Sequence, residues 1–189
     1  MRRSVLFTLI ASLIAIALLT IISLRATSIK PEENSSASRQ DVKFKDYHLQ
    51  SFNLTIKIPE TTRVTGDDYH DDEVIFNAYL EDESLKFKGY IQLWKVADLE
   101  KFLETNKSIS PFKFATYSER KVEIKSLTGY QVDWTAIFQE QRPVSGKEYF
   151  LKQKDGEEVL RVSLFADESP FPKHLEQTAV TMTSSIEWD

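Results

Sequence analysis

Cysteine is absent from all 189 residues, and that absence removes several possibilities at once. No disulfide can hold the fold, so outside a reducing compartment the chain must rely on its apolar core alone. No thiol can act as nucleophile or soft metal ligand, and no lipobox cysteine can take a lipid anchor. Glycine is scarce, at five residues, and none opens a phosphate-cradling loop: Gly146-Lys147 lacks the preceding glycine that such a loop needs. Histidine occurs three times, at His48, His70 and His174 in unrelated segments. With no Gly-x-Ser-x-Gly either, the sequence assembles no hydrolase triad. Ser145 and Lys147 are the one remaining nucleophile-and-base pair, but Val144-Ser145-Gly146-Lys147 after Pro143 reads as the start of a strand. No enzymatic activity and no cofactor are expected.

What the chain does have is one long apolar run. Val5 to Leu24 carries no charge, and 13 of its 20 residues are Leu, Ile, Phe or Val. At 1.5 Å per residue it makes a helix of about 30 Å, the thickness of a bilayer's hydrocarbon core. Each large apolar residue favours insertion by roughly 0.3 to 0.6 kcal/mol, which outweighs Thr8, Ser12, Thr20 and Ser23. Arg2 and Arg3 stand before the run, whereas Arg25 and Lys30 behind it give way to Glu32 and Glu33, so the N-terminus is expected inside and the rest outside. A cleaved signal peptide is the competing reading. The run is longer than an ordinary signal's apolar region, however, and Ala26-Thr27-Ser28 is a poor cleavage site.

Ala26 to Asp41 is polar, rich in Ser and Glu and without periodicity, the composition of a flexible tether spanning about 20 to 25 Å. The expected organisation is a cytoplasmic end at 1–4, a transmembrane signal anchor at 5–24, a linker at 25–41 and one extracytoplasmic domain at 42–189. About 148 residues suffice for a core that buries some 68 to 70% of the unfolded surface. Setting aside Arg2, Arg3, Arg25 and Lys30 leaves 20 basic residues against 29 acidic ones, about −9. Such a surface repels nucleic acid and anionic headgroups, so contact with the membrane is expected through the helix alone. A disulfide-free exported domain suits a bacterial surface; in a eukaryote, Asn34, Asn53 and Asn106 would be glycosylation acceptors.

Within the domain, Leu54, Ile56 and Ile58 alternate with Thr55 and Lys57 up to Pro59, a half-buried strand. Val74, Phe76, Ala78 and Leu80 repeat the pattern, as do Leu85, Phe87, Ile91 and Leu93. Asp98 can cap a short helix carrying Leu99, Phe102 and Leu103 and ending near Asn106. Val122 and Ile124, then Tyr130, Val132, Trp134, Ala136 and Phe138, continue the sheet, with Gly129 expected as the turn. Lys147 to Gln153 and Glu158 to Phe165 form a hairpin, whose Asp155-Gly156 is expected to supply positive φ angles. Pro172 opens a helix with Leu175, Ala179, Met182 and Ile186 on one stripe. Trp134 and Trp188 continue apolar stripes and are expected in the core.

Two clusters are candidate sites. Asp67, Asp68, His70, Asp71 and Asp72 form an oxygen-rich segment with one imidazole, chemistry that suits a divalent cation, against the alternative of a solvated loop. Lys86, Lys88, Tyr90 and Trp94, with Gln92, share a strand face by alternation and could bind a partner peptide or ligand; alternatively the face is covered, and Tyr90 and Trp94 are packed.

The order of elements resembles the PsbP/Mog1-like family, which includes bacterial DcrB-like proteins. The resemblance covers about Phe52 to Trp188 and rests on Phe52-Asn53-Leu54-Thr55-Ile56-Lys57-Ile58-Pro59, on Gly129-Tyr130-Gln131-Val132-Asp133-Trp134, on Tyr149-Phe150-Leu151 with Asp155-Gly156 and Val159-Leu160-Arg161-Val162-Ser163, and on the Pro172 helix. Where members often carry a Trp shortly after the opening Pro, this chain has Thr61-Thr62-Arg63-Val64. The resemblance implies an α+β domain, an antiparallel β-sheet flanked by helices, and a non-enzymatic binding or assembly module beside another membrane or extracytoplasmic protein. A sensor or carrier of a small ligand or metal is the alternative, and fold analogy supports a class of function only.

Overall fold

Alternating apolar and polar side chains produce ten strands among the described residues, which in the computed structural model are 42–68, 73–138, 142–154 and 156–189. They are β1 (Phe44–Leu49), β2 (Leu54–Pro59), β3 (Arg63–Asp68), β4 (Val74–Asp82), β5 (Phe87–Lys95), β6 (Lys113–Ile124), β7 (Leu127–Phe138), β8 (Arg142–Gln153), β9 (Glu158–Ala166) and β10 (Glu187–Trp188). Helix α1 (Leu99–Ile109) lies between β5 and β6 in the chain, and helix α2 (Lys173–Ser184) lies between β9 and β10. Val42–Glu100 and Phe112–Asp189 make one compact unit, whereas Lys101–Pro111, the body of α1, falls in another. The apolar run at 5–24 and the tether lie outside the described residues, within which no helix is long and apolar enough to cross a membrane.

The strands form two sheets rather than the single one expected. β1-β2-β10 is three-stranded, and β3-β4-β5-β9-β8-β7-β6 is seven-stranded, with antiparallel neighbours throughout. The reason is width. Six inter-strand spacings of about 4.8 Å make the large sheet about 29 Å across, whereas one helix covers about 10 Å. Phe76, Ala78 and Leu80 of β4, Ile91 and Leu93 of β5, and Leu160, Val162 and Leu164 of β9 form its apolar face. That face is covered jointly by Leu54, Ile56 and Ile58 of β2 and by Leu175, Ala179 and Met182 of α2.

The α2 stripe is as the sequence predicts, with Ile186 buried just beyond the helix. Pro172 is the flanking N-cap residue, in extended conformation (φ −64°, ψ 134°), rather than the first helical residue. Trp188 is half-buried, because β10 has only two residues and pairs with β2 alone. Helix α1 continues three residues past Asn106, since no helix breaker intervenes before Pro111. Its Thr105 and Ser108 hydroxyls donate to the Lys101 and Thr105 carbonyls, both at 2.8 Å.

Two turn assignments need correcting. Gly129 lies inside β7, opposite Leu151, and the chain reverses at Lys125-Ser126, where Lys125 takes φ 54°. A Cβ on Gly129 would sit 1.8 Å from the Phe150 carbonyl oxygen, so close backbone approach is what requires glycine there. Gly156 has no positive φ. The β8–β9 loop spans four residues, a length usually built around a type I turn, and Asp155 lies outside the described residues.

Asp82 pins the segment between β2 and β3 to the β4–β5 turn. It is 1% exposed and accepts hydrogen bonds from Thr61 Oγ1 at 2.6 Å and Thr62 Oγ1 at 2.9 Å, just before β3. Ser84 Oγ at 2.8 Å, Ser84 N at 3.0 Å and Leu85 N at 2.9 Å complete the set. Burial pushes its pKa up, but the donors outweigh burial and hold the carboxyl below its ordinary value. A depressed folded pKa stabilises the protein fully above the unfolded value of about 3.9, and that contribution is lost as pH falls through the folded value. Asp82→Ala is expected to cost about 1–3 kcal/mol at pH 7 in urea unfolding, the gap to wild type shrinking below about pH 4. Equal stability at pH 7 would contradict this role.

Candidate functional site on the second face of the large sheet

The face of the seven-stranded sheet turned away from the apolar core is polar and aromatic. Its composition follows from register. Tyr79, Tyr90, Ser163, Glu148, Val132 and Glu119 stand side by side on β4, β5, β9, β8, β7 and β6. The next row holds Asn77, Gln92, Arg161, Phe150, Tyr130 and Lys121, and the row on the other side includes Phe165, Gly146, Trp134 and Tyr117.

Glu148 organises the centre. Its Oε1 accepts Trp134 Nε1–H at 2.6 Å. Its Oε2 accepts Arg161 Nε at 2.8 Å, Arg161 Nη2 at 2.5 Å and Ser163 Oγ at 2.9 Å. The side chains of Arg161 and Glu148 are 15% and 8% exposed, so the pair is largely desolvated and holds because its remaining hydrogen-bonding groups are met. Arg161 Nη1 donates to Gln92 Oε1 at 3.0 Å, which also takes Trp94 Nε1–H at 3.3 Å, while Gln92 Nε2 donates to Asn77 Oδ1 at 2.8 Å. Polar contacts thus run unbroken across β4, β5, β9, β8 and β7.

Aromatic rings form a second continuous array. Tyr79 meets Tyr90 at 5.6 Å, Tyr90 meets Phe165 at 5.8 Å, and Phe165 meets Trp134 at 5.7 Å between centroids. Trp134 stacks on Phe112 at 5.1 Å and meets Phe114 at 5.6 Å edge-on, and Tyr117 and Phe138 extend the array. Gly146 makes room for the indole, since a Cβ there would lie 2.4 Å from Trp134 Cε2. Tyr90 is 4% exposed, and its hydroxyl is buried with no hydrogen-bond partner. Burial raises its pKa; nearby Arg161 pulls it back down and Glu148 pushes it further up, so the phenol stays protonated at neutral pH.

The residues singled out in the sequence do not gather into one open strip. Lys86 precedes β5 in a turn, with φ 58°, so the alternation starts one residue later, at Phe87. Lys88 is half-buried, and Tyr90 and Trp94 are packed. Asp67 and Asp68 close β3 opposite Asn77 and Phe76, while His70, Asp71 and Asp72 lie outside the described residues. No group of three or more metal-ligating side chains occurs among the described residues. Ser145 is fully buried and donates to the Glu168 carbonyl at 2.7 Å, Lys147 pairs with Asp133, and His174 Nε2 donates to the Leu85 carbonyl at 3.1 Å.

Sequence reasoning missed Glu148 and Arg161, although the hairpin held the signal. With residues 154–157 as the loop, Glu148 falls opposite Ser163 and diagonal to Arg161. Arg161→Met leaves Glu148 uncompensated and should cost about 3–5 kcal/mol in urea unfolding, most of it recovered by adding Glu148→Leu. A loss below about 1 kcal/mol for the single variant would show that the pair does not organise this face.

No family model and no curated protein matches the chain. Among solved structures, cyanobacterial PsbP (CyanoP) from Synechocystis sp. PCC 6803 is similar with a TM-score of 0.51 at 9% identity, the match covering 82% of this chain and 98% of that one. LpqN, involved in cell envelope biogenesis of Mycobacterium tuberculosis, matches with a TM-score of 0.44 at 13% identity, over 78% of this chain and 91% of that one. The domain therefore has the PsbP/Mog1-like fold, as the sequence resemblance implies.

Proposed function

We propose that the chain is a membrane-anchored, extracytoplasmic, non-enzymatic module that acts beside a larger protein assembly. The observation that carries this reading is how the candidate reactive side chains are used. Ser145, Lys147, Glu148 and His174 are each engaged by structural partners, which supports a role for the domain's surface. Residues 26–41 have the polar, Ser- and Glu-rich composition of a tether. A leash of about 20 to 25 Å raises the domain's local concentration beside other membrane proteins without any new contact. The PsbP/Mog1-like fold hosts modules of this class, which supports the reading by analogy.

The cysteine-free sequence makes the test direct. In intact cells, Lys154→Cys should react with a membrane-impermeant maleimide and Arg3→Cys should not, and a photo-crosslinker placed at Lys154 should trap a discrete membrane-protein band. Labelling of both sites or of neither, or crosslinks only to lipid, would overturn the reading.

A further inference from the structure

Strand β6 closes one edge of the seven-stranded sheet, with β7 as its one strand neighbour among the described residues. It runs for 12 residues, against 6 for β3 at the opposite edge. A long edge presents a row of backbone N–H and C=O groups to any strand that can lie beside it. Near its start this edge is blunted, since the register with β7 shifts between Phe114 and Thr116. Beyond the shift the ladder to β7 is regular through Ile124, and Ser118, Glu119, Arg120, Lys121 and Glu123 are all exposed. Ser118 to Lys121 are consecutive and so point to both faces, which leaves this stretch uncovered on either side.

We propose that β6 pairs with β6 of a second copy of this chain, antiparallel and two-fold about Val122, so that the two large sheets join edge to edge. Charge selects this register. A two-fold axis through the sheet sets residues of the same face opposite one another. An axis at Glu119, Arg120, Lys121 or Glu123 would place like charges face to face, which destabilises a strand pair, and one at Ser118 would bring no opposite charges together. An axis at Tyr117 or Ile124 would run at once into the register shift or the β6–β7 turn. An axis at Val122 places Lys121 opposite Glu123 of the second copy, twice by symmetry, and opposes no like charges. The apolar side agrees with the charged one. Val122 and Ile124 are half-buried at the margin of the core, and Val122 continues a row that runs through Gly129 and Leu151 to Leu160. In the pair, Val122 meets its own copy and Ile124 meets the apolar stem of Arg120, so the core extends across the junction. The Lys121–Glu100 ion pair, at 3.3 Å with both side chains well exposed, is weak enough to be shared.

The test uses the full-length protein in mild detergent, where a single introduced thiol reports the register because the chain has no cysteine of its own. At the axis the two Val122 Cα atoms would lie about 4.5–5.5 Å apart, within the range of a disulfide, whereas the two Ser118 Cα atoms would lie about 27 Å apart. Under mild oxidation Val122→Cys should therefore form a disulfide dimer at least about tenfold faster than Ser118→Cys. Adding Lys121→Glu, which puts like charges opposite one another, should slow that reaction at least about threefold, and adding Glu123→Lys as well should restore it. Without any thiol, the dimer seen by sedimentation should weaken in Lys121→Glu and recover in the charge-swapped pair, a reading that does not depend on how Val122→Cys folds. Equal rates for the two cysteine variants would show association through the apolar N-terminal run or by random collision, and would overturn the proposal. A monomeric wild type, or a Lys121→Glu variant that dimerises as well as wild type, would overturn it too.

Discussion

A carboxylate in the middle of a seven-stranded sheet must be supplied with donors or it will unfold the face that carries it, and Glu148 sets the terms for everything around it. Arg161 stands diagonally across on β9 to balance its charge, and Ser163 directly opposite is small and hydroxylated. Trp134 reaches it from β7 only because Gly146 leaves the space over β8 free for the indole. The requirement then passes outward: Arg161 has a further N–H to place, Gln92 receives it, and Asn77 and Trp94 complete the arrangement. A buried network of this kind is stable when every member is satisfied, and each member restricts the others. Tyr90, at its margin, packs its ring between Tyr79 and Phe165.

The other face follows a different rule. It is apolar, and it is shared between β2 and α2 because the large sheet is too wide for one helix. With no disulfide available, the small and large sheets are held together by packing and by hydrogen bonds such as Gln153 Nε2 to the Trp188 carbonyl at 2.9 Å, while Asp82 takes five donors from the segment before β3 and from the β4–β5 turn. One buried carboxylate therefore fixes the segment that links the sheets, and another shapes the second face of the larger one.

The legibility of these features in the sequence depended on how local they are. Strands β2, β4 and β5, the β8–β9 hairpin and the α2 stripe were readable because period and turn length are properties of neighbouring residues. Gly129 misled because a glycine needed for close approach to Phe150 looks the same in sequence as one needed for a turn. Lys86 misled because alternation cannot show that a left-handed residue interrupts it. The separate three-stranded sheet was hidden, since the partners of β2 lie at Phe44–Leu49 and at the final Glu187–Trp188 pair. The Glu148 network was legible in part: the hairpin register places Glu148 near Arg161, but Trp134, Gln92 and Asn77 join through β7, β5 and β4, whose order no local pattern reveals.

The same physical picture connects structure to function. A fold without disulfides gains rigidity on one face from apolar packing and on the other from a satisfied polar network. That leaves a pre-shaped aromatic surface on a domain tethered, as proposed, close to a membrane. The most direct test of the central claim is hydrogen exchange at the three indole N–H groups, followed by NMR with assignment by single Trp→Phe variants. A Trp134 N–H held by the Glu148 carboxylate should exchange far more slowly than that of half-buried Trp188 and should lie downfield of it. Equal exchange at Trp134 and Trp188 would show that the carboxylate does not hold the indole, and the account of this face would fall with it.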